Sequence, residues 1–242
     1  NASFALTGGS PAGGTYFGTG VSMGNFHPAV AGVGTHTIGY TTQNSNGCRD
    51  TAFQNIVVNP LPIAAITQGA QVSFCSGSSI VLNASPIAGM HFRWLRNGLP
   101  VNGQQNAALT ATQAGAYQVI VTNTSTQCFD TSDITTVSIN PLPTAGLAAA
   151  GPTTFCSGSS VVLNASPTTG VTYTWLLNGN ALAGQSAASL TAANAGAYRV
   201  VVTNANGCSD TSSSIVVTLQ FCGFVEGHLK YLNQAATPMT HT

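Results

Sequence analysis

Cysteine is the residue type whose spacing in this chain most clearly indicates chemistry. Six cysteines occur in 242 residues. Cys75 and Cys128 are 53 residues apart, and Cys156 and Cys208 are 52 residues apart, so a similar pair occurs twice. Zinc would need further His or Cys ligands clustered at short spacing, and none accompany these pairs. The recurrence therefore predicts the disulfides Cys75–Cys128 and Cys156–Cys208, and with them an oxidising, extracellular compartment.

Two further cysteines fall outside these pairs. Cys48 aligns with Cys128 and Cys208 because x-Asp-Thr follows each of the three. It is therefore the second member of a pair whose first member would precede the first residue. We expect the chain to begin inside a domain, with Cys48 bonded to sequence outside it or free. The sequence leaves the partner of Cys222 open.

One segment matches a nucleophile motif of hydrolases. Residues 20–24 have the pattern Gly-x-Ser-x-Gly around Ser22, which in such enzymes places the serine on a strand-to-helix turn above a parallel sheet. No helical segment follows Ser22, so the sequence predicts an ordinary glycine-rich turn. His27, His36 and Asp50 lie in the same region and are explained as ordinary strand or surface residues. With five acidic residues in the whole chain, no carboxylate pair for glycoside hydrolysis is present. We expect no catalytic residues and no enzymatic activity.

Calcium is the remaining candidate for site chemistry. Asp130, Asp133 and Asp210 could contribute oxygen ligands, but a calcium site takes roughly six to eight, with several carboxylates. Short acidic side chains also organise turns, and Asp130 and Asp210 both follow a cysteine by two residues. The sequence favours this turn role and predicts no metal and no cofactor.

Charge is unusually scarce. Charged residues make up 4% of the chain, against about 25% in typical domains, and the formal net charge is zero. A neutral chain lacks the basic surface that binds nucleic acid or anionic membranes, and low net charge favours association. No apolar run approaches the roughly 20 residues that cross a bilayer. We expect no nucleic-acid partner and no membrane span.

The chain repeats itself over a domain-sized period. Five segments recur after 81 residues, or after 80 near the end of the repeat. They are Asn59–Pro62 and Asn140–Pro143, Phe74–Ser79 and Phe155–Ser160, Trp94 and Trp175, Ala114–Tyr117 and Ala195–Tyr198, and Cys128–Thr131 and Cys208–Thr211. A period of this length indicates tandem modules rather than a short solenoid unit. The predicted domains are a truncated β-sandwich module at 1–59 (the first module), sandwich modules at 60–140 and 141–219 (the second and third modules), and the start of a further β domain at 220–242.

Short strands separated by turns fill each module. Val171, Tyr173 and Trp175 alternate with polar or outward positions, as in a half-buried strand, and Asn178-Gly179 follows as a strong hairpin signal. Helical patterns are nearly absent. The sequence thus predicts an all-β chain of antiparallel β-sandwich modules arranged end to end, joined by stiff Pro-Leu-Pro linkers.

The modules resemble the immunoglobulin-like (Ig-like) fold. Trp94 and Trp175 fall where that fold has its core tryptophan, and Tyr117 and Tyr198 where it has its tyrosine corner. The cysteines lie outside the usual core positions. This displaced pair, with Cys-Ser-Gly-Ser-Ser and Cys-x-Asp-Thr, is similar to the Ig-like and PKD-like repeats of giant surface adhesins exported by the type IX secretion system. The Leu-Thr-Gly-Gly-Ser-Pro-Ala-Gly-Gly-Thr-Tyr segment from Leu6 is similar to another repeat of those proteins.

The resemblance implies a structural and adhesive role: the stalk or fibre of a large secreted cell-surface protein. Its expected partners are other copies of the chain, neighbouring domains of the same long chain, and a cell-surface or glycan ligand. The alternative is a carbohydrate-binding module array of a secreted enzyme. It would need an exposed aromatic platform, and few candidates for one remain, such as Tyr16 and Phe17. A strand predicted at residues 227–233 would belong to a fourth domain or pair with a neighbouring chain.

Overall fold

The computed structural model describes residues 2–86 and 88–222, which form 24 β-strands and one four-residue helix. The predicted all-β class, with antiparallel sandwich modules, is confirmed. The described residues divide into two compact units, with the boundary between residues 139 and 140. This division falls at the second Asn-Pro-Leu-Pro segment, whereas the boundary predicted after residue 59 lies inside the first unit and stays a prediction.

The strand predicted at 227–233 lies outside the described residues. Within the described part, no helix is long and apolar enough to cross a bilayer.

The first module contains two small antiparallel sheets, with strand orders β2-β5-β6 and β1-β4-β3. Its elements are β1 (Phe4–Ala5), β2 (Thr15–Phe17), β3 (Val21–Ser22), β4 (Asn25–Phe26), α1 (Pro28–Ala31), β5 (Gly34–Gln43) and β6 (Arg49–Val58). β5 and β6 pair along their whole length. The buried core is small, consisting of Phe26, Ile38 and Val58.

The second module is a two-sheet sandwich. Its strands are β7 (Ala65–Ile66), β8 (Gln71–Cys75), β9 (Ile80–Ser85), β10 (Met90–Arg96), β11 (Leu99–Pro100), β12 (Ala108–Ala111), β13 (Gly115–Asn123), β14 (Phe129–Thr131) and β15 (Thr135–Asn140). One sheet has the order β12-β9-β7. The other has the order β11-β10-β13-β15-β8, and β14 also pairs with β13.

The third module repeats this arrangement. Its strands are β16 (Gly146–Ala149), β17 (Thr154–Cys156), β18 (Val161–Ser166), β19 (Val171–Leu177), β20 (Asn180–Ala181), β21 (Ser189–Ala192), β22 (Gly196–Asn204), β23 (Ser209–Thr211) and β24 (Ile215–Gln220). The sheets have the orders β16-β18-β21 and β17-β24-β22-β19-β20, with β23 on β22. β17 runs parallel to β24, whereas the other pairs are antiparallel.

The predicted core tryptophans are fully buried between the sheets. Trp94 and Trp175 each have 0% exposure. A buried indole N–H needs an acceptor, and each finds one 2.9 Å away, Trp94 at the Asn106 carbonyl and Trp175 at the Ala187 carbonyl. The two modules therefore bury the tryptophan and satisfy its indole N–H with the same kind of backbone acceptor.

The predicted tyrosine corners are also present. Tyr117 and Tyr198 are buried, and their hydroxyls donate to the carbonyls of Gln113 and Asn194 at 2.9 Å. The bonds tie the start of β13 and of β22 to the preceding turn. This corner, with the core tryptophan, is the arrangement of an immunoglobulin-like sandwich.

The predicted Asn-Gly hairpins have a second role. Asn178 and Gly179 both have positive φ, +51° and +86°, as a type I′ turn requires. The Asn178 side-chain oxygen then accepts a hydrogen bond from Ala197 N at 2.9 Å. Gly196 lies beside this contact with φ +146°, and a Cβ there would meet Leu177 and Asn178 side-chain atoms at 2.6–2.8 Å. The Ala-Gly-Ala-Tyr segment thus carries glycine where no side chain fits.

Candidate functional site

The cysteine pairing differs from the prediction. Cys156 bonds Cys222, with the Cα atoms 5.3 Å apart, and Cys128 is a free, partly buried thiol. The predicted disulfides Cys75–Cys128 and Cys156–Cys208 are therefore wrong. Cys75 and Cys208 are nevertheless each disulfide-bonded.

Parallel strand pairing explains the observed link. Cys156 ends β17 opposite Gln220 of β24, and Cys222 follows Gln220 by two residues, so the two thiols meet at one end of the sheet. Recurrence of a cysteine shows that its position is repeated, but it does not identify the nearest partner. Cys222 also lacks a counterpart in the second module, where Pro-Leu-Pro occupies that place. Cys48 is free and exposed, which is one of the two outcomes expected for it.

Two aspartates tie the linkers to their modules. The Asp130 carboxylate accepts a hydrogen bond from Ala64 N at 3.2 Å, and the Asp210 carboxylate accepts one from Ala145 N at 2.9 Å. Both amides lie two residues after a Pro-Leu-Pro segment. The other Asp210 oxygen accepts from Thr211 N at 2.9 Å. The expected turn role is present, and the same carboxylates also fix the entry of the chain into each module.

A second contact holds the linker before the third module. The Asn204 side-chain amide donates to the Pro141 carbonyl at 2.9 Å. Asn204 also organises its own turn, because its side-chain oxygen accepts from Asn206 N and Cys208 N, each at 3.0 Å. The linker segment is thus hydrogen-bonded to the module it enters.

The hydrolase-like motif is a hairpin turn, as the sequence predicted. Ser22 ends β3, which pairs with β4 through Val21–Phe26 and Ser22–Asn25. The connecting residues Met23 and Gly24 both have positive φ, the conformation of a tight hairpin. The serine is therefore not on a strand-to-helix elbow.

The neighbouring polar residues have local roles. A ring nitrogen of His36 is 2.9 Å from the Gly32 carbonyl, and the Asp50 carboxylate accepts from Thr51 N at 2.8 Å. His27 precedes α1 without a side-chain capping bond. In the described part of the chain, no group of three or more His, Cys, Asp or Glu side chains is placed to hold a metal.

Two buried serines are structural residues that the sequence analysis missed. The Ser132 hydroxyl accepts from Val119 N at 3.0 Å and donates to the Asp133 carbonyl at 2.9 Å. Ser212 bonds in the same way to Val200 N and the Ser213 carbonyl, at 3.1 and 2.9 Å. The signal available was their equivalent position, one residue after Asp-Thr in both repeats.

The first module has an open groove of about 640 Å³ beside β6. Tyr16, Tyr40 and Phe53 line it, and the Tyr16 and Tyr40 rings lie 4.7 Å apart. β6 is the edge of its sheet, whereas the last strands of the other two modules are covered by β8 and β17. The groove is also lined by residues 4–10, together with Tyr16 of β2 and Tyr40 of β5, so it lies on the face of the sheet and does not mark the open edge of β6.

A shallower pocket of about 430 Å³ lies on the outer face of the second module. We call its outward-facing lining the β10 patch. It comprises His91, Arg93, Gln105, Ile120, Thr122 and Phe129. Strand register sets their order: His91 lies opposite Thr122, which lies opposite Phe129, and Arg93 lies opposite Ile120. A cation and an aromatic ring thus share one sheet face.

No family model and no curated protein matches the chain. Solved structures of tandem-domain proteins are similar to it. A three-Ig segment of titin is 13% identical, with a TM-score of 0.36 and coverage of 86% of this chain and 83% of that one. Sidekick-1 immunoglobulin domains 1–5 are 16% identical (TM-score 0.32; 83% and 49% covered). The fibronectin(III)-like modules of CbhA from Clostridium thermocellum are 14% identical (TM-score 0.36; 65% and 95% covered). At these values the neighbours assign no ligand and no activity to this chain.

Proposed function

We propose that this chain is part of the repeat region of a large secreted cell-surface protein, in which tandem modules form an adhesive stalk or fibre. The observation that carries the proposal is a hydrogen bond that recurs after both linkers. The carboxylates of Asp130 and Asp210 each accept it from the backbone amide two residues after Pro-Leu-Pro, and we call this contact the linker latch. A linker fixed in this way has little slack, and a chain of such modules transmits tension from one to the next.

Three further features support an extracellular structural role. The Cys156–Cys222 disulfide suits an oxidising compartment. The charged fraction of 4% leaves Ser- and Thr-rich faces that pack together without desolvating ions, which favours self-association. The sequence resemblance to repeats of type IX-exported adhesins indicates the same role.

A carbohydrate-binding array of a secreted enzyme explains the modules less well. Such an array would repeat an exposed aromatic platform in each module. Trp94 and Trp175 are instead fully buried, and Phe129, which is exposed, has Ser209 as its counterpart in the third module. The repeat therefore preserves the core and not an aromatic surface.

Small-angle X-ray scattering of the 242-residue chain tests the proposal. Three modules in an extended row should give a maximum dimension well beyond that of a compact protein of this mass, whose radius of gyration would be about 18 Å. A radius of gyration near that compact value would refute the stalk. Scattering as a function of concentration would report lateral association.

A further inference from the structure

We propose that the β10 patch of the second module binds an acidic saccharide, through a carboxylate on Arg93 and a sugar ring against Phe129. The inference rests on the proposed adhesive role and adds the ligand class. Phe129 is 61% exposed. Arg93 is also exposed, and no hydrogen bond or ion pair within the described residues engages its guanidinium.

Comparison with the third module singles out this face. The two modules have the same strand register here, so each patch residue has a defined counterpart. The counterparts of His91, Arg93 and Phe129 are Thr172, Thr174 and Ser209. The fold therefore does not require a cation or an aromatic ring at these positions, and packing alone does not explain them.

The charge on this strand is a second unusual feature. The chain has five Lys and Arg residues in all, and β10 carries two of them, Arg93 and Arg96. Arg93 and His91 lie on the patch side of the strand. Arg96, three residues after Arg93, lies on the other side, as strand alternation requires. No acidic residue lines the pocket. An anion would meet no like charge there.

The ligand class follows from the groups that surround the pocket. A planar guanidinium forms paired hydrogen bonds with a carboxylate. An exposed aromatic ring offers an apolar surface to the C–H face of a sugar ring, and Thr122 and Gln105 can hydrogen-bond hydroxyl groups. The volume of about 430 Å³ is near the low end of the roughly 300–1,000 Å³ of small-molecule sites. This favours a compact acidic sugar over an extended acidic peptide, and zero net charge disfavours nucleic acid.

Isothermal titration of the full chain with digalacturonic acid tests the proposal. Its methyl ester, which keeps the sugar rings and removes the charge, serves as the ligand control. The variants are Arg93→Thr and Phe129→Ser, both of which introduce the residue that the third module carries in the same register. The matched control is Arg199→Gln, which removes one positive charge elsewhere and introduces the second-module counterpart Gln118. Thermal melts would establish that all variants remain folded.

We expect the acid to bind, the ester to bind at least about tenfold more weakly, and each patch variant to lose at least about tenfold in affinity, with Arg199→Gln unchanged. The proposal is overturned if the acid does not bind, if the ester binds equally well, or if Arg199→Gln weakens binding as much as Arg93→Thr. It is also overturned if an acidic pentapeptide of alternating serine and glutamate binds more tightly. A compact scattering profile would refute the stalk and leave this titration valid, so the two proposals fail separately.

Discussion

Hydrogen bonds between four polar side chains and the backbone recur at equivalent positions of the second and third modules. Asp130 and Asp210 hold linker backbone, and Ser132 and Ser212 satisfy buried strand amides. The local sequence pattern predicted the turn role of the two aspartates. Their contacts with Ala64 and Ala145 were not predictable, because a hydrogen bond across some 65 residues leaves no local signature.

Removing one latch should weaken one module. Asp130→Ala deletes the acceptor of Ala64 N, and a hydrogen bond to a partly exposed carboxylate contributes about 1–2 kcal/mol. We expect the free energy of unfolding of the second module to fall by that amount and the Ala64 amide to exchange faster with solvent. Asp133→Ala, which removes an exposed carboxylate from the same module, should change stability by less than about 0.5 kcal/mol. Equal losses in the two variants would show that the latch contributes nothing.

The reactivity of the cysteine thiols distinguishes the observed disulfide pairing from the pairing that the sequence repeat predicted. Alkylation of the native chain without reductant should label Cys48 and Cys128, because both are free thiols, with Cys48 reacting faster because it is more exposed. Non-reducing peptide mapping should recover Cys156 linked to Cys222. If Cys128 still resists labelling after the chain is unfolded without reductant, its assignment as a free thiol is wrong.

At the scale of elements, alternation and turn chemistry determine most of the fold. Period-2 patterns predicted the strands around Trp94 and Trp175, and Asn-Gly predicted the hairpins that follow them. The parallel pairing of β17 with β24 was not predictable in the same way, because its two strands are distant in sequence and neither carries a register signal. The wrong disulfide prediction has the same cause, because the parallel pairing of β17 with β24 places Cys156 beside Cys222.

The glycine before the tyrosine corner gives a sharp test of the hairpin contact. Gly196→Ala would place a Cβ at 2.6–2.8 Å from Leu177 and Asn178 side-chain atoms, at a φ of +146°. We expect the third module to lose about 1–3 kcal/mol of stability, measured by urea denaturation. Gly151→Ala is the control, because a Cβ there meets nothing within 4 Å and should be neutral. An unchanged free energy of unfolding in Gly196→Ala would show that a side chain fits beside Leu177 and Asn178.

The 80- to 81-residue repeat determines how most of the whole molecule is organised. The recurrence of Trp, Tyr and Asp-Thr at an 80- to 81-residue offset predicted two modules of one design, and the structure confirms their matching sheets and registers. The β10 patch was not predicted, because it depends on which side chains share a face across three strands. Arg93 and Phe129 in this patch are replaced by Thr174 and Ser209 in the third module.

Mechanical unfolding of the tethered chain tests the stalk most directly. In a force-bearing array, the modules should unfold in separate events, and the Cys156–Cys222 disulfide should keep its 66-residue loop from extending. Because Cys75 and Cys208 are also disulfide-bonded, the tethered chain carries Cys75→Ser and Cys208→Ser. Added reductant should then lengthen the third-module event by roughly 220–240 Å, the span of that many extended residues. Separate force peaks with this reductant-dependent gain would support the account. Extension without resisting peaks, or a length that reductant leaves unchanged, would contradict it.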